Sequence, residues 1–210
     1  MPLSPELRTR ITSAFFLLVA VMALTLWSMA SFAALCLVGG GILLHEWRGL
    51  TRHRGARWMV FGLAYIGLAV AALLYLRNTN LLILLAVFLI VWTGDSAAYF
   101  TGKRFGRHKI APAISPGKSW EGLAGSIVAS AVMAAVLGAM APLPHAVLGA
   151  VFAVLGLGGD LFESSLKRHA GVKDSGALIP GHGGLFDRVD ALLPCAIFAA
   201  IALYIRLGMQ

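Results

Sequence analysis

Long apolar runs, interrupted only by short polar loops, dominate this chain and restrict it to membrane architectures. The first run, residues 11–44, contains no charged side chain. A single helix of that length, rising 1.5 Å per residue, would exceed a hydrocarbon core of about 30 Å. We therefore predict two membrane spans, which separate near Trp27–Ser31.

Further apolar runs follow, and together they predict an all-α, polytopic integral membrane protein with about seven transmembrane helices. Only 12% of the residues are charged, whereas soluble domains carry about a quarter, and the mean hydropathy is +0.84. No linker or repeat divides the chain, so we predict one membrane-embedded domain of residues 1–210 with a turn at Pro142–Pro144. The later spans are expected at about residues 58–76, 81–99, 122–141, 146–161 and 189–207.

Basic side chains predict the orientation of these spans. The chain has 17 Lys and Arg against 9 Asp and Glu. With the N-terminus inside, 15 of the 17 basic residues fall on the inner side, and only Arg77 and Arg206 lie outside. Because basic residues concentrate in cytoplasmic loops, we expect the polar loops to face the cytoplasm from the inner (plasma) membrane. The net charge of +8 is spread over short loops rather than one amphipathic face, so no nucleic-acid partner is expected.

The stretch from Glu163 to Asp190, ESSLKRHAGVKDSGALIPGHGGLFDRVD, concentrates polar residues between two apolar segments. Its five glycines and Pro180 favour tight turns and a backbone that a ligand approaches closely. Carboxylates gathered in a poorly hydrated place repel unless a cation lies among them, and hard oxygen ligands favour Mg²⁺. At the start of this stretch, four polar residues are spaced i, i+3, i+4 and i+7, which predicts that they share one helix face. They are Asp160, just before the stretch, and Glu163, Ser164 and Lys167.

This stretch resembles the signature of the phosphatidate cytidylyltransferases, also called CDP-diacylglycerol synthases. That signature runs Ser, Lys-Arg, Lys-Asp, a small residue, His-Gly-Gly, Asp-Arg and Asp at fixed spacings, and about ten fixed positions rarely coincide by chance. In this chain the elements fall on Ser165, Lys167-Arg168, Lys173-Asp174, Gly176, His182-Gly183-Gly184, Asp187-Arg188 and Asp190.

A second cluster, within residues 95–122, is similar to the same family. Asp95 and a following Ala-Tyr pair lead into a basic loop, and an Ile-Ser-Pro-x-Lys-Ser-x-Glu-Gly element covers residues 114–122. Two positions depart from the common pattern. Gly117 stands where a second Lys is common, and Leu157 stands where Gln often precedes the Gly-Asp pair.

The resemblance implies that the chain joins CTP and phosphatidate to give CDP-diacylglycerol and pyrophosphate, with Mg²⁺ as cofactor. The catalytic residues that it implies are Asp160, Lys167, Asp187 and Asp190. The metal ligands that it implies are Asp95, Asp160, Asp187 and Asp190. Substrate contacts are expected from Lys118, Ser119, Ser164, Arg168, Lys173, His182, Gly183, Gly184 and Arg188. The expected partners are CTP, phosphatidate, membrane lipids and a second copy of the chain in a homodimer.

Simpler structural roles stay open for several of these residues. The acidic residues have the alternative of plain ion pairs with neighbouring Lys and Arg side chains. Lys118 has the alternative of a basic cytoplasmic loop, with Ser119 as the N-cap of the next helix. His182 has two possible roles. With its two glycines it would let the backbone approach a phosphate, or its side chain would donate a proton to the leaving group.

Two other functions use similar residues. A CTP-dependent lipid kinase of the polyprenol or phytol type would transfer the γ-phosphoryl group to a lipid alcohol and release CDP. A membrane transporter would line an ion path with Asp95, Asp160 and Asp190. It would also place polar residues on both faces of the membrane, whereas here they cluster on one side.

Two further motifs fail in detail. Residues 112–119, PAISPGKS, end like a phosphate-binding P-loop, but Pro112 replaces the first glycine and no strand is expected before it. The chain also has no GxSxG nucleophile elbow, which argues against covalent serine hydrolysis.

Overall fold

The computed structural model describes residues 5–138, 142–179 and 183–209, with side chains except at residues 5–11 and 142–143. Eight α-helices and one two-stranded sheet make up the described chain. In order they are α1 (Pro5–Trp27), α2 (Met29–Thr51), α3 (Ala56–Thr79), α4 (Leu81–Phe105), β1 (Lys109–Ala111), β2 (Ser115–Ser119), α5 (Trp120–Leu137), α6 (Pro142–His169), α7 (Phe186–Val189) and α8 (Leu192–Gly208).

Five of the described helices are long and apolar enough to cross a membrane. They are α2, α3, α4, α5 and the Pro144–His169 part of α6. Two shorter apolar helices, Thr12–Trp27 within α1 and the whole of α8, accompany them. The prediction of an all-α, multi-pass membrane protein is therefore confirmed, while the count of seven spans stays a prediction.

Polar caps divide the apolar runs into separate helices. Ser28 has an extended backbone (φ −155°) between α1 and α2. Its Oγ accepts a hydrogen bond from the Ser31 N–H at 3.0 Å, and Ser31 Oγ accepts one from the Ser28 N–H at 3.0 Å. This reciprocal capping box ends one helix and starts the next, so the predicted break near Trp27–Ser31 is confirmed. Asn80 separates α3 from α4 in a similar way, because its Oδ1 accepts from the Leu82 N–H at 2.8 Å.

The basic loop predicted after the fourth span is mostly regular structure. Lys103 and Arg104 lie on the last turn of α4, and β1 pairs antiparallel with β2. A strand therefore does precede the PGKS sequence, contrary to our expectation, and the P-loop interpretation fails on its missing first glycine. Ser119 caps α5 as the alternative interpretation had it, since its Oγ accepts from the Gly122 N–H at 3.1 Å.

Two helix boundaries differ from the predicted ones. Helix α6 begins at Pro142, where a turn was expected. Proline is tolerated in a first helical turn because the N–H that it lacks would have no partner there. Helix α8 begins at Leu192 rather than near Val189, because residues 186–189 form the separate short helix α7. Asp190 consequently lies outside the apolar helix.

The aromatic cluster around Trp47 positions the polar stretch against the rest of the bundle. Trp47 is fully buried, and its indole N–H donates to the Trp58 carbonyl at 2.8 Å. Its ring lies 6.0 Å from that of Phe162 and 6.1 Å from that of Phe186, measured between centroids. One residue of α2 thus packs against both α6 and α7. On the other side of the bundle, α5 packs between α4 and α6.

Candidate active site

A cavity of about 760 Å³ lies among α4, β1, β2, α5, α6, α7 and the segment that joins α7 to α8. This volume is typical of sites for small-molecule ligands. The cavity draws on both polar clusters of the sequence. Its charged lining residues, among those described, are Asp95, Lys103, Lys109, Lys118, Asp160, Asp187, Arg188 and Asp190.

The same cavity has an apolar wall. Leu123 of α5 and Ala153 and Leu157 of α6 line it together with the charged groups. Gly117 also lines it, so both positions at which the chain departs from the common family pattern face this space. A site with a charged end and an apolar wall suits a ligand that is itself part phosphate and part hydrocarbon.

Helix α6 holds the β1–β2 hairpin over the cavity. Lys118 of β2 forms a salt bridge with Asp160 of α6, and both side chains stay partly exposed (32% and 24%). Arg168 donates from Nε to the Ile114 carbonyl at 3.1 Å, which fixes the turn of the hairpin. Ser164 Oγ donates to Asp160 Oδ1 at 3.3 Å. Arg168 and Ser164 therefore support the hairpin and Asp160, and neither is among the residues that line the cavity.

Lys167 lies between the carboxylates of Glu163 and Asp187. Its Nζ is 2.5 Å from Glu163 Oε2 and 2.6 Å from Asp187 Oδ1. Glu163 is 1% exposed, so Lys167 takes the place of water as the partner of its Oε2. The ion-pair alternative thus holds for Glu163 and Asp187. Lys167 meets the cavity through Asp187 rather than by lining it.

Asp187 accepts hydrogen bonds from four donors. Oδ1 accepts from Lys167, while Oδ2 accepts from the Ser175 N–H and hydroxyl at 2.8 Å each and from the Gly184 N–H at 2.9 Å. Burial by itself would raise the pKa of Asp187, but these donors outweigh it and lower the pKa to about 2. Asp187 is therefore charged at neutral pH and anchors the polar stretch at the edge of the cavity.

Asp190 has the opposite electrostatic environment. Burial, followed by repulsion from the Asp160 and Asp95 carboxylates, raises the pKa of Asp190 to about 7, although Lys118 acts to lower it. Three carboxylates that face one cavity and disfavour each other's charge are the environment that a bound cation relieves.

The donor set suits Mg²⁺ held jointly with a ligand. Within the described ranges, no three carboxylate, imidazole or thiolate side chains lie close enough together to hold a metal ion alone. Mg²⁺ is usually bound by one or two carboxylates and by substrate phosphates rather than by a cage of protein ligands. Asp95, Asp160 and Asp190 offer such carboxylates on the cavity wall.

Two of the predicted substrate-binding glycines are required by contacts inside the protein. Gly183 has a positive φ of 80°, and a Cβ there would lie 2.8 Å from Asp187 Oδ2. A Cβ on Gly184 would meet Ser175 Oγ directly. A backbone approach to phosphate stays a prediction for this pair. His182 lies outside the described residues, and Lys173 is exposed away from the cavity lining.

Sequence reasoning missed several residues of this region. Lys103 and Lys109 line the cavity, although neither was among the predicted site residues. Glu46 of α2, which was assigned no role, contacts the polar stretch through both carboxylate oxygens. Its one sequence signal was its isolation, because it is the only acidic residue between Glu6 and Asp95 and it lies just after the first apolar run.

Comparison with known proteins identifies what the chain is similar to. The model of the cytidylyltransferase family matches residues 8–206. A phosphatidate cytidylyltransferase of Rickettsia felis is 34% identical over 91% of this chain and 91% of its own length. The Pseudomonas aeruginosa protein of that name is 38% identical over 87% of this chain and 68% of its own length. The Haemophilus influenzae protein is 43% identical over 57% of this chain, and the match spans less than half (44%) of that relative.

Proposed function

The chain belongs to the cytidylyltransferase family, and we propose that it is a nucleotidyltransferase that makes CDP-diacylglycerol and pyrophosphate from CTP and phosphatidate. One observation carries this proposal. The cavity brings Asp95, Asp160 and Asp190 together with the phosphate-binding candidates Lys118, Ser119 and Arg188, beside an apolar wall. Two phosphate-bearing substrates, one of them a lipid, need such a combination.

The proposed reaction needs little acid–base chemistry from the protein. An oxygen of the phosphatidate phosphate forms a bond to the α-phosphorus of CTP. The bond from that phosphorus to the oxygen bridging to the β-phosphate breaks, and its electron pair leaves with pyrophosphate. Because the attacking phosphate is already anionic near neutral pH, orientation and charge neutralisation provide the catalysis.

Cationic side chains of the cavity neutralise the phosphates. Lys118 offers a point charge, and Arg188 offers two parallel N–H donors to a phosphate. Lys118 pairs with Asp160 through a partly exposed salt bridge, so a triphosphate competes with Asp160 for the ammonium group. When Lys118 turns to a phosphate, the Asp160 carboxylate becomes available to a cation. Lys167 holds Asp187 charged and in place.

Mg²⁺ is the proposed cofactor, and one or two of Asp95, Asp160 and Asp190 would hold it together with the substrate phosphates, while Asp187 lines the same cavity. When bound, Mg²⁺ supplies charge neutralisation to the triphosphate and to the leaving pyrophosphate. Burial, followed by repulsion from Asp160 and Asp95, raises the pKa of Asp190, and this environment supports the assignment.

The proposed setting is the inner (plasma) membrane, with one cytidylyltransferase domain whose cavity opens to the cytoplasm. The placement of 15 of 17 basic residues on one side supports this orientation. CTP is a cytoplasmic nucleotide and phosphatidate a membrane lipid, so both reach a site at that face. A homodimer stays a prediction.

Isotope placement tests the reaction directly. Detergent-purified protein with phosphatidate and CTP labelled at the α-phosphate should place the label in the lipid product and release unlabelled pyrophosphate. CTP labelled at the γ-phosphate should leave the lipid unlabelled. Label from the γ-phosphate in a lipid, with CDP released, would establish the lipid kinase instead. Solute flux across sealed vesicles without nucleotide would favour the transporter.

Mg²⁺ binding is expected to strengthen as the pH rises through 7. Below that pH the Asp190 carboxyl holds a proton, because its pKa is raised to about 7, and a cation must displace that proton. The Mg²⁺ concentration that gives half of the maximal rise in melting temperature should fall by up to about tenfold per pH unit below pH 7, and then level off.

The Asp190→Asn variant is the control for this titration. It has no proton to release at this position, so its Mg²⁺ dependence should vary less with pH than that of the natural chain. An equally steep pH dependence in the variant would assign the released proton to another group.

A further inference from the structure

Glu46 is a carboxylate buried between α2 and the polar stretch. It lies on α2, is 5% exposed, and directs both oxygens at the polar stretch. Oε1 accepts from the Leu185 N–H at 2.8 Å, and Oε2 accepts from the Phe186 N–H at 2.8 Å and from the Ser175 hydroxyl at 3.1 Å. Each partner lies about 130–140 residues away in sequence. A charge buried this deeply is stable only because charge-assisted hydrogen bonds replace its water.

Two glycines of the polar stretch fit closely around this carboxylate. A Cβ on Gly176 would lie 2.9 Å from Glu46 Oε1, and a Cβ on Gly184 would lie 2.6 Å from the same oxygen. Both distances are shorter than a carbon–oxygen contact allows. The absence of side chains at these positions therefore lets the polar stretch close over Glu46, quite apart from any ligand.

Ser175 connects Glu46 to the edge of the cavity. Its hydroxyl lies 3.1 Å from Glu46 Oε2 and 2.8 Å from Asp187 Oδ2. A hydroxyl has one proton, so Ser175 donates to one carboxylate at a time and lies between the two. The Ser175 N–H donates to Asp187 as well. Both carboxylates thus contact the same residue.

Helix α7 depends on these contacts for its position. Four residues cannot form a stable helix by themselves, because nucleation fixes several dihedral angles for one hydrogen bond. The Leu185 and Phe186 N–H groups at its start both donate to Glu46. This helix carries Asp187 and Arg188, which line the cavity.

We propose that Glu46 is a positioning residue of the cavity, whose carboxylate anchors α7 and thereby sets where Asp187 and Arg188 lie. The inference deepens the proposed function and rests on it, since the position of these two side chains matters only if the cavity carries out the reaction. Glu46 itself lines no part of the described cavity and touches no reacting group.

The Glu46→Gln variant tests the anchor with almost no change in volume. An amide has one oxygen, so its NH₂ group must face either the Leu185 or the Phe186 N–H, and two donors then oppose each other. We expect kcat to fall by about 10–100-fold, the range seen when supporting hydrogen bonds around a site are lost, with a smaller change in KM for CTP. Amide hydrogen exchange across residues 183–190 should become at least about tenfold faster.

Thr51→Val is the matched control. Thr51 is on the same helix, is 1% exposed, and donates its hydroxyl to the Trp47 carbonyl at 2.8 Å, so the variant also loses one buried hydrogen bond of α2. It should keep kcat and the exchange rate across residues 183–190. If Thr51→Val reproduces both effects of Glu46→Gln, the effects report general loosening of α2 and the proposal is wrong.

Gly176→Ala gives a second test that retains the carboxylate, in case Glu46→Gln does not fold. The added methyl group should displace Glu46 and also lower kcat and speed exchange across residues 183–190. In the double variant the two losses should be less than multiplicative, because both disturb one contact. Independent losses, or an unchanged exchange rate in Glu46→Gln, would overturn the proposal. Exchange needs no substrate, so this readout holds even if the natural chain makes no CDP-lipid.

Discussion

Replacing Asp190 with asparagine should lower kcat for CDP-diacylglycerol formation by at least about 100-fold, the size of effect that follows loss of a group opposite developing charge. Asp190 lines the cavity together with Asp160 and Asp95, and burial followed by repulsion from these two carboxylates disfavours its charge and raises its pKa. Asparagine keeps its shape but removes the negative charge that a cation needs. Turnover would be measured as labelled CDP-lipid formed at saturating CTP and Mg²⁺.

The same variant should remain folded, and at pH 8 without Mg²⁺ it should melt no lower than the natural chain. The direction of this expected change in melting temperature follows from the raised pKa of Asp190. The folded state favours the protonated carboxyl, so the associated stability is complete below the usual carboxyl pKa and is lost as the pH rises through about 7. At pH 8 the natural chain carries that cost and asparagine does not. Full activity in Asp190→Asn would remove Asp190 from the machinery.

Asp187→Asn should behave differently and therefore serves as the comparison. Asp187 binds four donors, and its removal leaves the Lys167 ammonium with Glu163 as its described carboxylate partner. Breaking one side of a buried charge network typically costs about 3–5 kcal/mol. We expect this variant to lose both activity and melting temperature. Activity lost without any loss of stability would show that the hydrogen bonds of Asp187 contribute less than its charge.

Gly159→Ala is also expected to lower activity strongly, because it would displace Asp190 without changing its side chain. Gly159 is buried on α6, and a Cβ there would meet the Asp190 carbonyl oxygen directly and Pro194 Cγ at 2.9 Å. Backbone atoms cannot move aside as a side chain does, so α6 and the α7–α8 segment must separate. Overpacking of this kind costs about 1–3 kcal/mol, and activity should fall by an order of magnitude or more, as expected when groups shift by about 1 Å.

The neighbouring Gly158→Ala is the control for this substitution. Gly158 is exposed, and a Cβ there would have no atom within 4 Å. The two variants add the same methyl group to adjacent positions of one helix, so propensity effects cancel. Gly158→Ala should keep its activity and melting temperature. Equal behaviour of the two variants would contradict the close contact between α6 and Asp190.

Local sequence patterns predicted much of the architecture. The length of the apolar runs predicted membrane helices, and the Ser28 break followed from the length of the first run. The spacing of Asp160, Glu163, Ser164 and Lys167 correctly indicated one helix face, because helical periodicity is a property of the chain itself. The motif spacings also identified the family that the comparisons then showed.

Other assignments needed the tertiary structure. The pairing of β1 with β2 was not predicted, since short polar strands lack a periodic signal. The resemblance implied a catalytic role for Lys167, and the structure places its ammonium group between Glu163 and Asp187. Sequence spacing predicts which residues are neighbours on one helix. It does not predict which side chains of other elements a flexible side chain contacts.

The sequence by itself determined a multi-pass helical membrane protein of the cytidylyltransferase family. The length of an apolar run and the spacing of a motif are local properties of the chain, so they do not depend on how the helices pack. Only the tertiary structure decided that Asp95, Lys118 and Asp190 face one cavity and that Glu46 holds α7. Those contacts join residues far apart in the chain, and their energy depends on burial and on donor geometry that exist only after the helices have packed.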